Sequence, residues 1–293
     1  MPDGPTLADL RADIDAIDDE IHDLLMRRTD IVSRIGALKK ANNSADLALR
    51  PGREAAIIRR LALRHHGPFP RSVIVRIWRE LLSGQVAVQG PVSVAVFAPD
   101  GISAYRDLAR DQFGIRATLT DHRSVNPVLQ AVSGGDASIG VLPMPLGERP
   151  DPWWRGLVTD NETVPRVIAR LPFAVSGAVD PDRTDALAIA RVDPECTGDD
   201  VSLVAIETDG DISRDRMRDA LKASGMDASW VGMWQDTDDS GRALHLVSID
   251  EYIARGEPRL DAFREKAGEA VRRAMSIGGY ARQLDLDDIG APA

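Results

Sequence analysis

Arg28 and Lys39 lie eleven residues apart in RRTDIVSRIGALKK, residues 27 to 40. If that stretch is helical, eleven residues is about three turns, so both cations stand on one face, beside an apolar seam. Long cationic side chains commonly reach out to water. The alternative is a small dianion gripped between helices, because carboxylates pair well with guanidinium and ammonium groups. Arg11, Arg53 and Arg76 are further candidates in the same part of the chain. Arg11 and Arg28 are seventeen residues apart, a rotation of about 260°. Arg11 therefore points away from the Arg28 and Lys39 face of its own helix, and is placed to serve the pocket of a second chain.

The charge distribution agrees with an anion site early in the chain. Residues 1–90 hold 14 Lys and Arg against 12 Asp and Glu, whereas residues 91–293 hold 22 against 34. The net charge of -10 argues against a general nucleic-acid binder. No stretch approaches the roughly 18 consecutive apolar residues of a membrane span. The first residues are charged and carry no apolar signal segment. A single cysteine, Cys196, excludes an internal disulfide and an all-cysteine metal site. A cytoplasmic location is expected, with no cofactor, no metal, no nucleic acid and no membrane partner. His65, His66 and His122 show no metal-ligand spacing.

The elements that must position these cations follow from periodicity. Leu10, Ile14, Ile17, Ile21, Leu24, Leu25, Ile31, Ile35 and Leu38 recur at three- and four-residue steps, which predicts one helix over 7–41. Thr6 is placed to cap it, and Asn42, Asn43 and Ser44 mark its end. At 1.5 Å per residue this is a rod of about 50 Å, too long for a ninety-residue unit unless a partner covers it. Pro51 opens a second helix running to about Arg64, and residues 71–88 form a third. Three helices of such unequal length fit an interlocked homodimer better than a closed monomer.

The period changes from helix to strand at VQGPVSVAVFAP, which puts a boundary near Gly90. Strands are expected at 93–97, 115–119, 137–144, 165–170 and 186–191, with helices at 103–113 and 127–132. This alternation is α/β. DPECTGDD (193–200) reads as a linker. Strands at 201–206, 227–234 and 243–248, with helices at 213–224 and 257–274, read as a small α+β domain over 200–277. Residues 278–293 read as a loose acidic tail. DGISAY is a glycine turn before a helix, either an ordinary βα turn or an anion-holding helix start. Trp153 and Trp154 either line a cleft or anchor packing.

The stretch LADLRADIDAIDDEIHDLLMRRTDIVSRIGALKK, with LRPGREAAIIRRL and IWRELLSGQVAVQ, resembles the all-helical chorismate mutase family over residues 7–89. The resemblance implies three helices per chain interlocked into a homodimer and a dianionic substrate, chorismate. It implies substrate-binding roles for Arg11 (across the dimer), Arg28, Lys39, Arg53, Glu54, Gln85 and Gln89, with Lys39, Gln89 and Arg28 as catalytic residues. Arg50 stands near a position that is acidic in some members. The implied reaction is the pericyclic rearrangement of chorismate to prephenate, which needs no proton transfer and no covalent intermediate. The protein must hold a compact conformer. It must also stabilise negative charge growing on the ether oxygen, a task for the Lys39 ammonium and the Gln89 amide. A glutamine donates without being protonated, so activity is expected across neutral pH.

VAVFAPDGISAYRDLA and GDASIGVLPMPLG resemble two strands of prephenate dehydratase, an α/β enzyme built like a periplasmic binding protein and often fused behind a mutase. Residues 91–195 would be that region, and 200–277 would fall where such fusions carry a regulatory ACT domain. Several motif residues differ. Ile102 stands for a threonine, and PMPLG replaces a P-I-E-N-S stretch. Thr184, Asp185 and Ala186 fall where a catalytic T-R-F is expected, and an aspartate there would repel a dianion. No match to an allosteric E-S-R-P motif stands near WVGMWQ. The expectation is a homodimeric chorismate mutase with a degenerate dehydratase-like region. A bifunctional mutase and dehydratase of phenylalanine synthesis is one alternative. A ligand-sensing binding protein with a dimerising mutase-like segment is the other.

Overall fold

The computed structural model describes residues 4–41, 49–148, 152–161, 163–177, 183–209, 212–236 and 241–289. The expected end of the first helix at Asn42, Asn43 and Ser44 lies outside these residues. An all-α segment comes first and an α/β region follows.

Helix α1 spans Leu7–Ala41. Thr6 caps it through a reciprocal pair: the Asp9 N–H donates to Thr6 Oγ1 at 3.2 Å, and the Thr6 N–H donates to Asp9 Oδ2 at 2.8 Å. Helix α2 spans Pro51–Arg64, with the proline in its first turn, and α3 spans Arg71–Gln89. Ala55, Ile58 and Ala62 of α2 and Leu82 of α3 form a core with Phe173, Leu284 and Leu286 from the far end of the chain. Helix α1 shares little of that core. Its apolar ridge, including Leu10, Ile14, Ile17, Ile21, Leu24, Ile31, Ile35 and Leu38, is 45% to 65% exposed.

The second part opens with β1 (Ser93–Phe97), α4 (Ala104–Phe113), β2 (Thr118–His122), α5 (Val125–Gly134) and β3 (Ile139–Pro143). The two-residue strand β4 (Gly147–Glu148) and a 3-10 turn at Trp153–Leu157 lead to β5 (Arg166–Leu171), β6 (Ala174–Val175) and β7 (Ala186–Ala190). Strands β2, β1 and β3 are parallel, and β7 runs antiparallel between β3 and β5. Every residue of β3 and of β7 is buried, as expected of strands covered on both faces.

The third part is β8 (Asp200–Asp209), α6 (Arg214–Ala223), β9 (Ala228–Gln235), β10 (Arg242–Ile249), α7 (Pro258–Ala267) and β11 (Val271–Ala281). It is a βαββαβ unit with antiparallel order β11-β8-β10-β9. Strand β11 joins it to the second part, pairing with β5 through Gly278 and Val167, so that one ten-stranded sheet runs through both. Gly278 has φ +124°, and a Cβ there would sit 2.3 Å from the Val167 carbonyl oxygen, so this crossing of backbones requires glycine.

Three expectations fail here. The helix expected over 257–274 stops at Ala267, and Gly268, at φ +84°, ends it. The chain then enters β11, the strand that joins the two sheet halves. The loose tail expected over 278–293 is, as far as residue 289, packed structure. β11 continues to Ala281, β12 (Leu284–Asp285) pairs with β6, and Leu284 and Leu286 are buried against α2 and α3. Acidic residues there mask two apolar ones that carry the packing. Strand β2 also begins three residues later than expected, because Arg110 Nη1 collects the carbonyls of Gly114, Ile115 and Ala117 into a loop.

Candidate active site

Arg28, Lys39, Arg53, Glu54, Gln85 and Gln89 line one cavity of about 440 Å³ between α1, α2 and α3. The volume falls within the roughly 300–1,000 Å³ usual for small-molecule sites. Ile31, Val32, Ile35, Ile57, Leu82 and Val86 supply its apolar walls. The helical spacing explains the gathering: Arg28, Val32, Ile35 and Lys39 are one face of α1, and Gln85 and Gln89 are one turn apart on α3.

Several polar atoms around this cavity have no protein partner among the described residues. Arg28 Nη1, and both the Nε2 and the Oε1 of Gln85, are buried and unpaired. Burial holds the Arg28 pKa below the ordinary arginine value, and the nearby Arg53 cation lowers it further. Groups of this kind are costly to bury unless a hydrogen-bond partner meets them.

Glu54 is buried at 8% exposure and pairs with Arg79 at 3.2 Å. Burial raises the Glu54 pKa, and the Arg79 guanidinium opposes that rise. Arg79 in turn lies over the Phe173 ring at 5.3 Å. Gly36, whose importance the periodicity does not reveal, faces Gln89: a Cβ there would lie 3.3 Å from Gln89 Cγ. Arg11 is on α1, exposed, and does not line this cavity. Arg76 is exposed too and pairs with Asp111 at 3.2 Å. Arg50 lines the cavity and is bound by Glu195, a contact with no local sequence signal.

A second cavity, of about 540 Å³, lies where β3, β5 and β7 meet the βαββαβ unit. Tyr105, Met144, Arg170, Arg183, Thr184, Asp185 and Tyr280 are among its walls. Asp185 does not stand alone as a negative charge. Its Oδ2 pairs with Arg170 at 2.5 Å and its Oδ1 with Arg183 at 2.9 Å. The local balance is one positive charge, so the repulsion expected from the sequence is offset by cations supplied from elsewhere.

Trp153 lines a third cavity and donates from Nε1 to the Pro143 carbonyl at 3.0 Å, whereas Trp154 is fully buried packing. In the DGISAY turn, Asp100 pairs with Arg123 and Ser103 donates to Asp107, so acidic groups occupy that helix start. Among the described residues no helix is long and apolar enough to cross a membrane.

Residues 10–90 match the family model of chorismate mutase type II. The chain is 27% identical over 147 residues to the bifunctional chorismate mutase/prephenate dehydratase of Pseudomonas aeruginosa, an alignment covering 49% of this chain and 40% of that protein. It is 32% identical over 144 residues to the protein of the same description from Aquifex aeolicus, covering 47% and 38%. The chain thus spans about 40% of the length of the curated relatives it matches. Among solved structures it aligns with a prephenate dehydratase from Arthrobacter aurescens in complex with L-Phe, with a TM-score of 0.49 and 14% identity over 69% of this chain and 92% of that one. Residues 10–90 thus resemble chorismate mutase type II, and the alignments with the bifunctional mutase/dehydratases, at 144 to 147 residues, are longer than that segment.

Proposed function

We propose that this chain is a cytoplasmic, homodimeric enzyme whose helical segment rearranges chorismate to prephenate. The observation that carries this reading is the cavity between α1, α2 and α3, with its unpaired buried donors on Arg28 and Gln85. Arg28 and Arg53 would bind the two carboxylates, and Arg11 of the partner subunit would close the site. These contacts hold the substrate in its compact conformer, which lowers the barrier by orientation. As the carbon–oxygen bond breaks, charge develops on the ether oxygen. Lys39 and Gln89 donate to it and stabilise the transition state more than the ground state. Glu54, already fixed by Arg79, accepts from the substrate hydroxyl. No proton changes hands.

The relatives' names favour a bifunctional protein over the mutase-only reading expected from the sequence. The second cavity supports the same conclusion, because Arg170 and Arg183 supply cations where Asp185 would otherwise repel an anion. In this reading residues 91–195 dehydrate prephenate. The βαββαβ unit that follows is a regulatory domain of the ACT kind, a role supported by its strand order. Purified protein incubated with chorismate, with products separated by chromatography, tests all of this at once. Phenylpyruvate supports both activities. Prephenate alone leaves the mutase and removes the dehydratase. Unchanged chorismate removes the mutase assignment.

A further inference from the structure

The N-terminus of α2 is capped from 142 residues away. Arg50, at the N-cap position, makes no side-chain cap. Instead Glu195, in the segment leading into β8, accepts from the Arg53 N–H through Oε2 at 3.0 Å, and its Oε1 pairs with the Arg50 guanidinium. Gly52 makes room for this approach: a Cβ there would fall 2.7 Å from Glu195 Cβ and 3.0 Å from its carbonyl oxygen. The Glu195 segment is itself anchored, since Thr197 donates to Asp200 through both its N–H and its hydroxyl at 2.7 Å. Farther along α2, Arg59 pairs with Asp199 at 3.1 Å and donates to the Arg282 carbonyl at 2.8 Å.

Both residues that Glu195 holds, Arg50 and Arg53, line the helical cavity. We propose that Glu195 is a positioning residue for that cavity: it fixes the first turn of α2 so that Arg53 meets a substrate carboxylate, and it holds the Arg50 guanidinium at a set place in the cavity wall. The dehydratase-like region would then be a working part of the mutase site rather than a neighbour. This rests on the mutase reading of the cavity.

Glu195 touches no group that donates to the breaking bond, so its loss falls on substrate binding and not on the chemical step. In the full-length chain, Glu195→Ala is expected to raise KM for chorismate on the order of tenfold, the range of one charge-assisted hydrogen bond, while kcat stays within about threefold. Glu195→Gln keeps a carbonyl oxygen for the Arg53 N–H and loses only the ion pair with Arg50, so it restores part of the KM. A structural role alone would lower the melting temperature and the active fraction, and leave KM where it was. KM within about twofold of wild type in Glu195→Ala, or a fall in kcat at constant KM, overturns the proposal. If Glu195→Ala does not fold, Glu195→Gln decides instead: a KM raised about threefold supports the proposal and an unchanged KM overturns it, since glutamate and glutamine differ little in volume. A wild-type chain that does not consume chorismate overturns the mutase reading and this proposal together. A wild-type chain that does, beside unaffected variants, overturns this proposal alone.

Discussion

Lys39 reaches the helical cavity from α1 and Gln89 reaches it from α3, so the two donors proposed for the ether oxygen are held by different elements. Lys39→Ala removes the charge proposed to act in the transition state. It should lower kcat by about 10²-fold, roughly 3 kcal/mol, with the chain still folded, as a spectrophotometric chorismate assay and circular dichroism would show. Turnover within a factor of two of wild type would place the site elsewhere. Gln89 can be reached indirectly. Gly36 packs under its side chain, with only 3.3 Å between a Cβ at 36 and Gln89 Cγ. Gly36→Val should displace the amide and reduce kcat about tenfold, while KM, set by the arginines, changes little. The cavity residues were legible because helical periodicity alone puts Arg28 above Lys39 and Gln85 above Gln89. Arg79, Phe173 and Glu195 were not. Their partners in the helical segment are separated from them in sequence or buried out of any pattern, and a single sequence carries no sign of such pairings.

The elements show where local pattern loses to tertiary pairing. The three helices and most strands follow from apolar spacing, but spacing alone assigns the β11 residues to the end of α7 and the start of a tail. VRRAMSIGGYA has no clean alternation, and its pairing with β8 is interrupted by two register shifts. Strand formation there is decided by the neighbours β8 and β5 and not by propensity. The sheet also buries a polar residue whose consequence is measurable. His245 on β10 is 4% exposed, and its Nδ1 has no partner among the described residues. Burial, helped by the Arg214 charge, holds its pKa down to about 4. In the unfolded chain the imidazole takes its proton near pH 6.5. Between these values the unfolded state binds a proton that the native state refuses, so stability falls as pH drops from about 6.5 toward 4. The contribution is on the order of 3 kcal/mol. Urea denaturation at pH 7 and pH 4.5 should show this loss in the wild type and a smaller one in His245→Leu. Equal losses in both would mean that His245 is not the group responsible.

At the scale of the molecule, the apolar ridge of α1 is the feature that the single chain leaves unexplained. Residues from Leu10 to Leu38 repeat with helical spacing, yet half of each is open to water. A ridge of this length normally marks an interface. Arg11 belongs to the same helix and is missing from the cavity of its own chain, so a second copy would both cover the ridge and complete the site. Replacing Ile17 and Ile21 together with aspartate should yield monomers in sedimentation experiments and lose most mutase activity, because charge on the ridge opposes association. Shared sites allow a stricter test. Arg11→Ala and Lys39→Ala chains are each expected to be nearly inactive alone. When they are unfolded together and refolded, half of the dimers are mixed, and each mixed dimer has one site with both residues intact. Activity should therefore return to about a quarter of wild type if two chains build each site. If each chain builds its own site, no pairing restores it and the mixture stays as inactive as its parts.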